Sequence, residues 1–176
     1  LDMADSDDWT FGTGDFSIDF WFNTNVLSAG ALYMAGQATS DGTESINNML
    51  SNNKIHGSFR NSGGAAKSIN GLTTITTGLW YHYALIKTGN TLKLFLNGTP
   101  EGEADTTGFT HFNQAAKFAV GRLGEYVSTP WNGSLDEARV IKGSALTADQ
   151  IRQAYEYGLR SHQITIDFGA TLQPSD

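Results

Sequence analysis

Retaining glycoside hydrolysis needs two carboxylates about 5 Å apart, one acting as nucleophile and one as acid. The sequence offers Asp19, alone in Phe16-Ser17-Ile18-Asp19-Phe20-Trp21-Phe22, and the adjacent pair Asp136-Glu137. One carboxylate cannot play both parts, and neighbours on a strand face opposite sides. Neither is a dyad, so the chain reads as non-enzymatic. His56, His82, His111 and His162 are scattered and form no HEXXH or two-residue zinc spacing. There is no Gly-X-Ser-X-Gly elbow to present a serine nucleophile. Gly12-Thr13-Gly14 has neither a following helix nor a Lys-Ser/Thr pair, so it is a turn and not a phosphate loop. The absence of cysteine removes disulfides, thiolate zinc sites and thiol nucleophiles.

Binding chemistry is better represented. A pyranose stacks its C–H face on an aromatic ring while planar polar groups take its hydroxyls. The stretch Gly124-Glu125-Tyr126-Val127-Ser128-Thr129-Pro130-Trp131 carries two rings and an acid on a loop, where function usually sits. Tyr126, Trp131 and Arg122 are therefore the candidate ligand contacts; Trp9 and Phe109 are further rings on loops. Asp2, Asp5, Asp7 and Asp8 lack the central Gly and final Glu of an EF-hand and read as a solvated acidic loop. Asn97-Gly98-Thr99 and Asn132-Gly133-Ser134 match the glycosylation sequon, and both also read as turns.

The elements that must carry these residues are mostly strands. In 16–22 the large apolar groups Phe16, Ile18, Phe20 and Phe22 recur with period two, as on a strand with one face in a core. Residues 31–36 form a further short strand. Residues 45–50 and 54–59 form a hairpin around Ser51-Asn52-Asn53. Three consecutive antiparallel strands follow from Trp80 to Ala104, the last two joined at Asn97-Gly98. Residues 118–121 and 131–142 add two more. Thr147-Ala148-Asp149-Gln150 fits a capping box for the only helix, whose apolar positions are Ile151, Ala154 and Tyr155 and whose expected stop is Gly158. Ile164 to Phe168 alternates again and is expected to add at a sheet edge.

Composition narrows the partners. A chain of 176 residues with 39% hydrophobic and 16% charged residues is one folded domain. Twenty glycines against three prolines suit many tight turns between short strands. The net charge of −7 argues against nucleic acid as a partner. No apolar run is long enough to insert into a membrane. The first residue is Leu1 and not Met, the mark of a processed or excised piece.

Four segments, in this order and spacing, resemble the laminin-G-like domains of the concanavalin A-like lectin/glucanase superfamily in their bacterial and phage form. They are Phe11 to Trp21, Gly78 to Ile86, Leu92 to Gly98, and Trp131 to Val140 followed by Ala145 to Ile151. The resemblance covers roughly residues 2 to 157. It implies an all-β fold: a two-sheet antiparallel jelly-roll sandwich with one short C-terminal helix. It divides the chain into a domain over 1–157 and a tail or closing strand over 158–176. It implies a non-catalytic recognition module that binds a glycan or cell-surface ligand, located extracellularly, on a cell surface or on a virion. The alternative role is decoration or assembly within a phage virion or bacterial surface protein, with protein neighbours as partners. Glucanases of this fold carry their acids at alternate positions of one strand, and here only Asp19 stands in such a stretch. The resemblance also implies a structural Ca2+, with Asp136 joined by backbone oxygens near Gly12 or Asp15.

Overall fold

The computed structural model describes residues 1–162. Its strands are β1 (Asp2–Met3), β2 (Phe16–Thr24), β3 (Leu32–Ala38), β4 (Glu44–Ser51), β5 (Lys54–Arg60) and β6 (Ala66–Asn70). They continue with β7 (Trp80–Thr88), β8 (Thr91–Leu96), β9 (Thr99–Asp105), β10 (Phe118–Val120) and β11 (Gly133–Lys142). One helix, α1 (Ala148–His162), closes the described chain. The strands form two antiparallel sheets, ordered β1-β10-β3-β4-β5-β6 and β11-β2-β7-β8-β9. This is the two-sheet sandwich the alternation predicts. The expected strand over 164–168 lies outside the described residues.

The core fills the space between the sheets. Phe16, Ile18, Phe20 and Phe22 of β2 point into it and meet Ile46 and Leu50 of β4 and Ile55 and Phe59 of β5. Each fully buried ring or branched chain contributes roughly 1.5–3 kcal/mol of transfer free energy. Turn residues set the register. Asn52 and Asn53 both adopt positive φ, so Ser51 pairs with Lys54 across a two-residue turn. Asn97 and Gly98 do the same between β8 and β9. The strand β6 carries only one buried apolar residue, Ile69, which is why the sequence alone does not reveal it.

The second face of β2 departs from expectation. Ser17, Asp19 and Trp21 are also buried, because α1 and the segment just before it lie over the outer face of the five-stranded sheet. The capping box at its start is real: Thr147 N–H donates to Gln150 Oε1 at 2.9 Å, and Gln150 N–H donates to Thr147 Oγ1 at 3.2 Å. Gly158 does not stop the helix. It is helical and buried, and it packs directly on the Trp21 indole. The helix therefore runs through the expected boundary at 157/158 and belongs to the sandwich as far as His162.

Candidate functional site

Two recesses hold clustered polar chemistry. The first is a groove of ≈ 320 Å³ between the β3–β4 and β5–β6 turns, bounded by Gly42 to Glu44, Arg60 to Ser62 and Phe112. Its floor is an ion pair and what holds it. Glu44 and Arg60 come together because the Asn52-Asn53 turn fixes the hairpin register, which brings the start of β4 beside the end of β5. Arg60 Nη2 donates to Glu44 Oε2 at 3.1 Å and Nε to the same oxygen at 3.3 Å. Asn47 Nδ2 donates to that oxygen at 2.6 Å, and Tyr33 O–H donates to Oε1 at 2.9 Å. Burial, and then the negative Glu44 beside it, push the Tyr33 hydroxyl well above its usual range. Asn47 Oδ1 is buried and has no partner.

Tyr126 does not line this groove; it packs beside Gly42, which does. Its ring meets Tyr33 edge-on, with centroids 6.4 Å apart, and a Cβ on Gly42 would lie 3.3 Å from it. The loop that carries Tyr126 folds back on β3: Gly124 N–H donates to Gly36 O and Glu125 N–H to Ala38 O. Leu123 packs against Tyr33 and Ala38 to pin it. The other two sugar candidates are engaged elsewhere. Trp131 meets core Phe22 edge-on at 5.8 Å and donates its indole N–H to Ser134 O at 3.3 Å. Arg122 forms an ion pair with Asp2, its Nε donating to Oδ1 at 3.1 Å. Phe109 is buried against Phe59, and Trp9 stacks on Phe118.

The second recess is a hollow of ≈ 230 Å³ beside α1, with Asp19, Trp21 and His82 at its base and Glu137, Arg139 and Tyr157 around it. Arg139 grips Asp19 with two prongs, Nε to Oδ1 at 2.9 Å and Nη2 to Oδ2 at 2.8 Å. His82 Nε2 lies 3.4 Å from Oδ2. Burial alone would raise the Asp19 pKa. Hydrogen bonds from His82 and Arg139 outweigh it and hold the carboxyl below its usual value. A bulge between Asp136 and Arg139, with Glu137 at φ 51°, breaks the alternation that the sequence implies for Asp136-Glu137.

The three expected calcium ligands are not brought together. Asp136 pairs with Trp21, whereas Asp15 precedes β2 at Phe16. Five strand residues separate those levels, roughly 17 Å. Asp136 Oδ1 accepts from Glu137 N–H, and Oδ2 lies 3.3 Å from His162 Nε2. Gly12 O accepts from His111 N–H, and Asp15 O from Gly143 N–H. A positive charge already serves the Gly12 turn: Lys87 Nζ, buried, donates to Thr13 O at 2.7 Å, Gly14 O at 3.4 Å and Gly89 O at 2.7 Å. The proposed ligand set does not fit one calcium ion. Among the described residues no three His, Asp or Glu side chains cluster around a common point. Of the N-terminal acids, Asp2 is paired with Arg122 and Asp8 accepts from the Ser6 hydroxyl at 3.0 Å.

Glu44, Arg60, Asn47, Tyr33 and Phe112 escape a motif search, because none belongs to a chemical signature. The available signal is topological. Opposite charges at the open end of a hairpin whose turn is legible must lie close together.

A profile for the concanavalin A-like lectin/glucanases superfamily, of the laminin G type, matches residues 2–152. No curated protein matches the chain. Among solved structures, the binding domain of Paraclostridial Mosquitocidal Protein 1 is similar at a TM-score of 0.68 and 14% identity, over 84% of this chain. The chain spans only 38% of that domain. A heptameric SAP-like pentraxin from Limulus polyphemus is similar at 0.62 and 17% identity, over 83% of this chain and 71% of its own. Domain 4 of AbnA, an extracellular arabinanase from Geobacillus stearothermophilus, in complex with arabinotriose, is similar at 0.61 and 22% identity, over 86% and 70%. At these identities the likeness is one of fold.

Proposed function

This chain belongs to the concanavalin A-like lectin/glucanases superfamily, and on that premise we propose that it is a non-catalytic recognition module that binds a glycan outside the cell. The carrying observation is the groove over Glu44 and Arg60, which joins an ion pair to the ring of Phe112. Rings offer a stacking face, and the guanidinium offers directed donors to hydroxyls. A domain of the same fold in complex with arabinotriose supports the choice of ligand. The non-catalytic reading is supported at Asp19, whose two oxygens are both held by Arg139 and which is no free acid or nucleophile.

A glycan array of the purified domain, run with calcium and again with EDTA, tests the proposal. Hits are expected in both runs, since the expected calcium ligands are not brought together. The same hits should vanish for Arg60→Ala. Silence in both runs from a folded domain would move the weight to an assembly role with a protein neighbour. Hits that survive Arg60→Ala would place the ligand elsewhere.

A further inference from the structure

We propose that the groove selects uncharged, hydroxyl-rich sugars over acidic ones, and that Glu44 is the residue that sets this selectivity. The inference rests on the reading of the groove as a glycan site and goes beyond it to the ligand's charge.

Among the described residues, Glu44 and Arg60 are the only charged ones that line the groove, and they neutralise each other. Glu44 is spent on the protein, its carboxylate taking donors from Tyr33, Asn47 and twice from Arg60. Arg60 is not spent. Of its five N–H groups, two go to Glu44 and one, on Nη1, to Gly64 O at 3.2 Å. The remaining donors face a ligand with no net positive charge behind them. Asp41, which precedes the lining residue Gly42 on the β3–β4 turn, adds a further negative charge and is held by the Thr39 hydroxyl and Thr43 N–H.

Asn47, buried and not among the lining residues, helps hold Glu44 in place. Its Nδ2 must face Glu44, because a carboxylate can only accept, so Oδ1 is the end left buried without a donor. The Asn47 acceptor is closed to a ligand, so what the groove offers is the spare donors of Arg60, and a hydroxyl oxygen accepts them. A carboxylate or sulfate ester brings acceptors only. It carries a full negative charge and would meet Glu44 and Asp41 with no surplus of positive charge to offset them.

The test compares wild type with Glu44→Gln. Both are titrated by heteronuclear NMR and calorimetry with galactose oligomers and with galacturonate oligomers of equal length. Wild type is expected to prefer the neutral series. Glu44→Gln, which keeps the shape but uncovers Arg60, is expected to shift the ratio roughly tenfold toward the acidic series, about 1.4 kcal/mol. Asp41→Asn, at an exposed turn outside the network, is expected to move the ratio the same way by a smaller factor. That second variant decides the matter if Glu44→Gln fails to fold. Acidic oligomers bound as well as neutral ones by wild type would overturn the proposal, as would a ratio unmoved in the variants. If neither series binds any form, the glycan reading falls and the selectivity with it. If neutral sugars bind but the ratio does not move, the glycan reading stands and only the role of Glu44 falls.

Discussion

Gly158 of α1 lies flat against the Trp21 indole: a Cβ placed on it would come within 2.5 Å of Trp21 Cε2. No real side-chain carbon tolerates that approach. His162, one turn further on, stacks on the other part of the same contact, its ring 4.5 Å from Trp21 and nearly parallel at 5°. The helix is thus fastened by a close backbone approach followed by a ring stack.

Gly158→Ala should therefore destabilise the protein although it improves helix propensity. Propensity favours the variant by about 1 kcal/mol. Overpacking at a buried ring costs about 1–3 kcal/mol or forces the helix off the sheet. A net loss of up to about 2 kcal/mol is expected in urea unfolding, with a changed tryptophan emission. A stabilised variant would show that α1 is not seated on Trp21.

This contact also explains where the sequence misleads. Helix-stop statistics favour glycine, and at Gly158 they point to an end. What requires the glycine is the partner across the interface, which belongs to β2 and lies far away in sequence. The alternation of Phe16, Ile18, Phe20 and Phe22 is legible because it is local. The burial of Ser17, Asp19 and Trp21 on the opposite face is not, since it depends on α1. Tyr126 could be picked out as a ring on a loop, yet it packs beside Gly42 and does not line the groove. Trp131 and Arg122 carry the same signal, but core Phe22 and Asp2 take them up. Glu44 and Arg60 look like ordinary surface charges until the hairpin register places them together.

Arg139→Met should cost more than Asp19→Asn, though both break the same ion pair. The Asp19 side chain is 4% exposed and the Arg139 side chain 46%. Removing the arginine leaves a buried carboxylate with only His82 beside it; removing the acid leaves an arginine that can turn to water. Losses of about 2–4 and about 1–2 kcal/mol are expected, the lower values allowing for the exposure of Arg139. In wild type the Asp19 pKa is lowered. The pair's contribution is thus complete above the ordinary aspartate value and is lost as pH falls through the depressed one. Equal losses in the two variants would contradict this asymmetry.

Phe112→Ala should weaken neutral-sugar binding roughly three- to tenfold, the worth of one aromatic face. Trp131→Phe should leave binding unchanged, because that indole is packed on Phe22 and its N–H is spent on Ser134. Calorimetry with the best array ligand reads both. The reverse ranking would move the site from the Glu44 groove to the far side of the 121–131 loop.

His111 predicts how stability responds to mild acid. Its ring sits in the sandwich in a closed chain of hydrogen bonds. Phe11 N–H donates to Nδ1 at 3.3 Å, so Nδ1 carries no proton and Nε2–H faces Ser45 Oγ at 2.9 Å. Ser45 O–H then donates to Gln37 Oε1 at 2.8 Å, and Gln37 Nε2 donates to Gln114 O and Ala116 O. Every member is satisfied with the ring neutral, and a second ring proton would face the Phe11 N–H. Burial accordingly pushes the His111 pKa down to about 4, from 6.5. Between those values the unfolded chain binds the proton and the folded chain does not. Stability from this group is therefore complete above about pH 6.5, falls as pH drops toward about 4, and is flat below. The slope approaches about 1.4 kcal/mol per pH unit at its steepest. It is separate from the Asp19 contribution, which is lost only at lower pH. Urea unfolding across this range should show the slope in wild type and a shallower one in His111→Gln, whose side chain does not titrate. An identical slope in both would mean that His111 is not the buried neutral ring described.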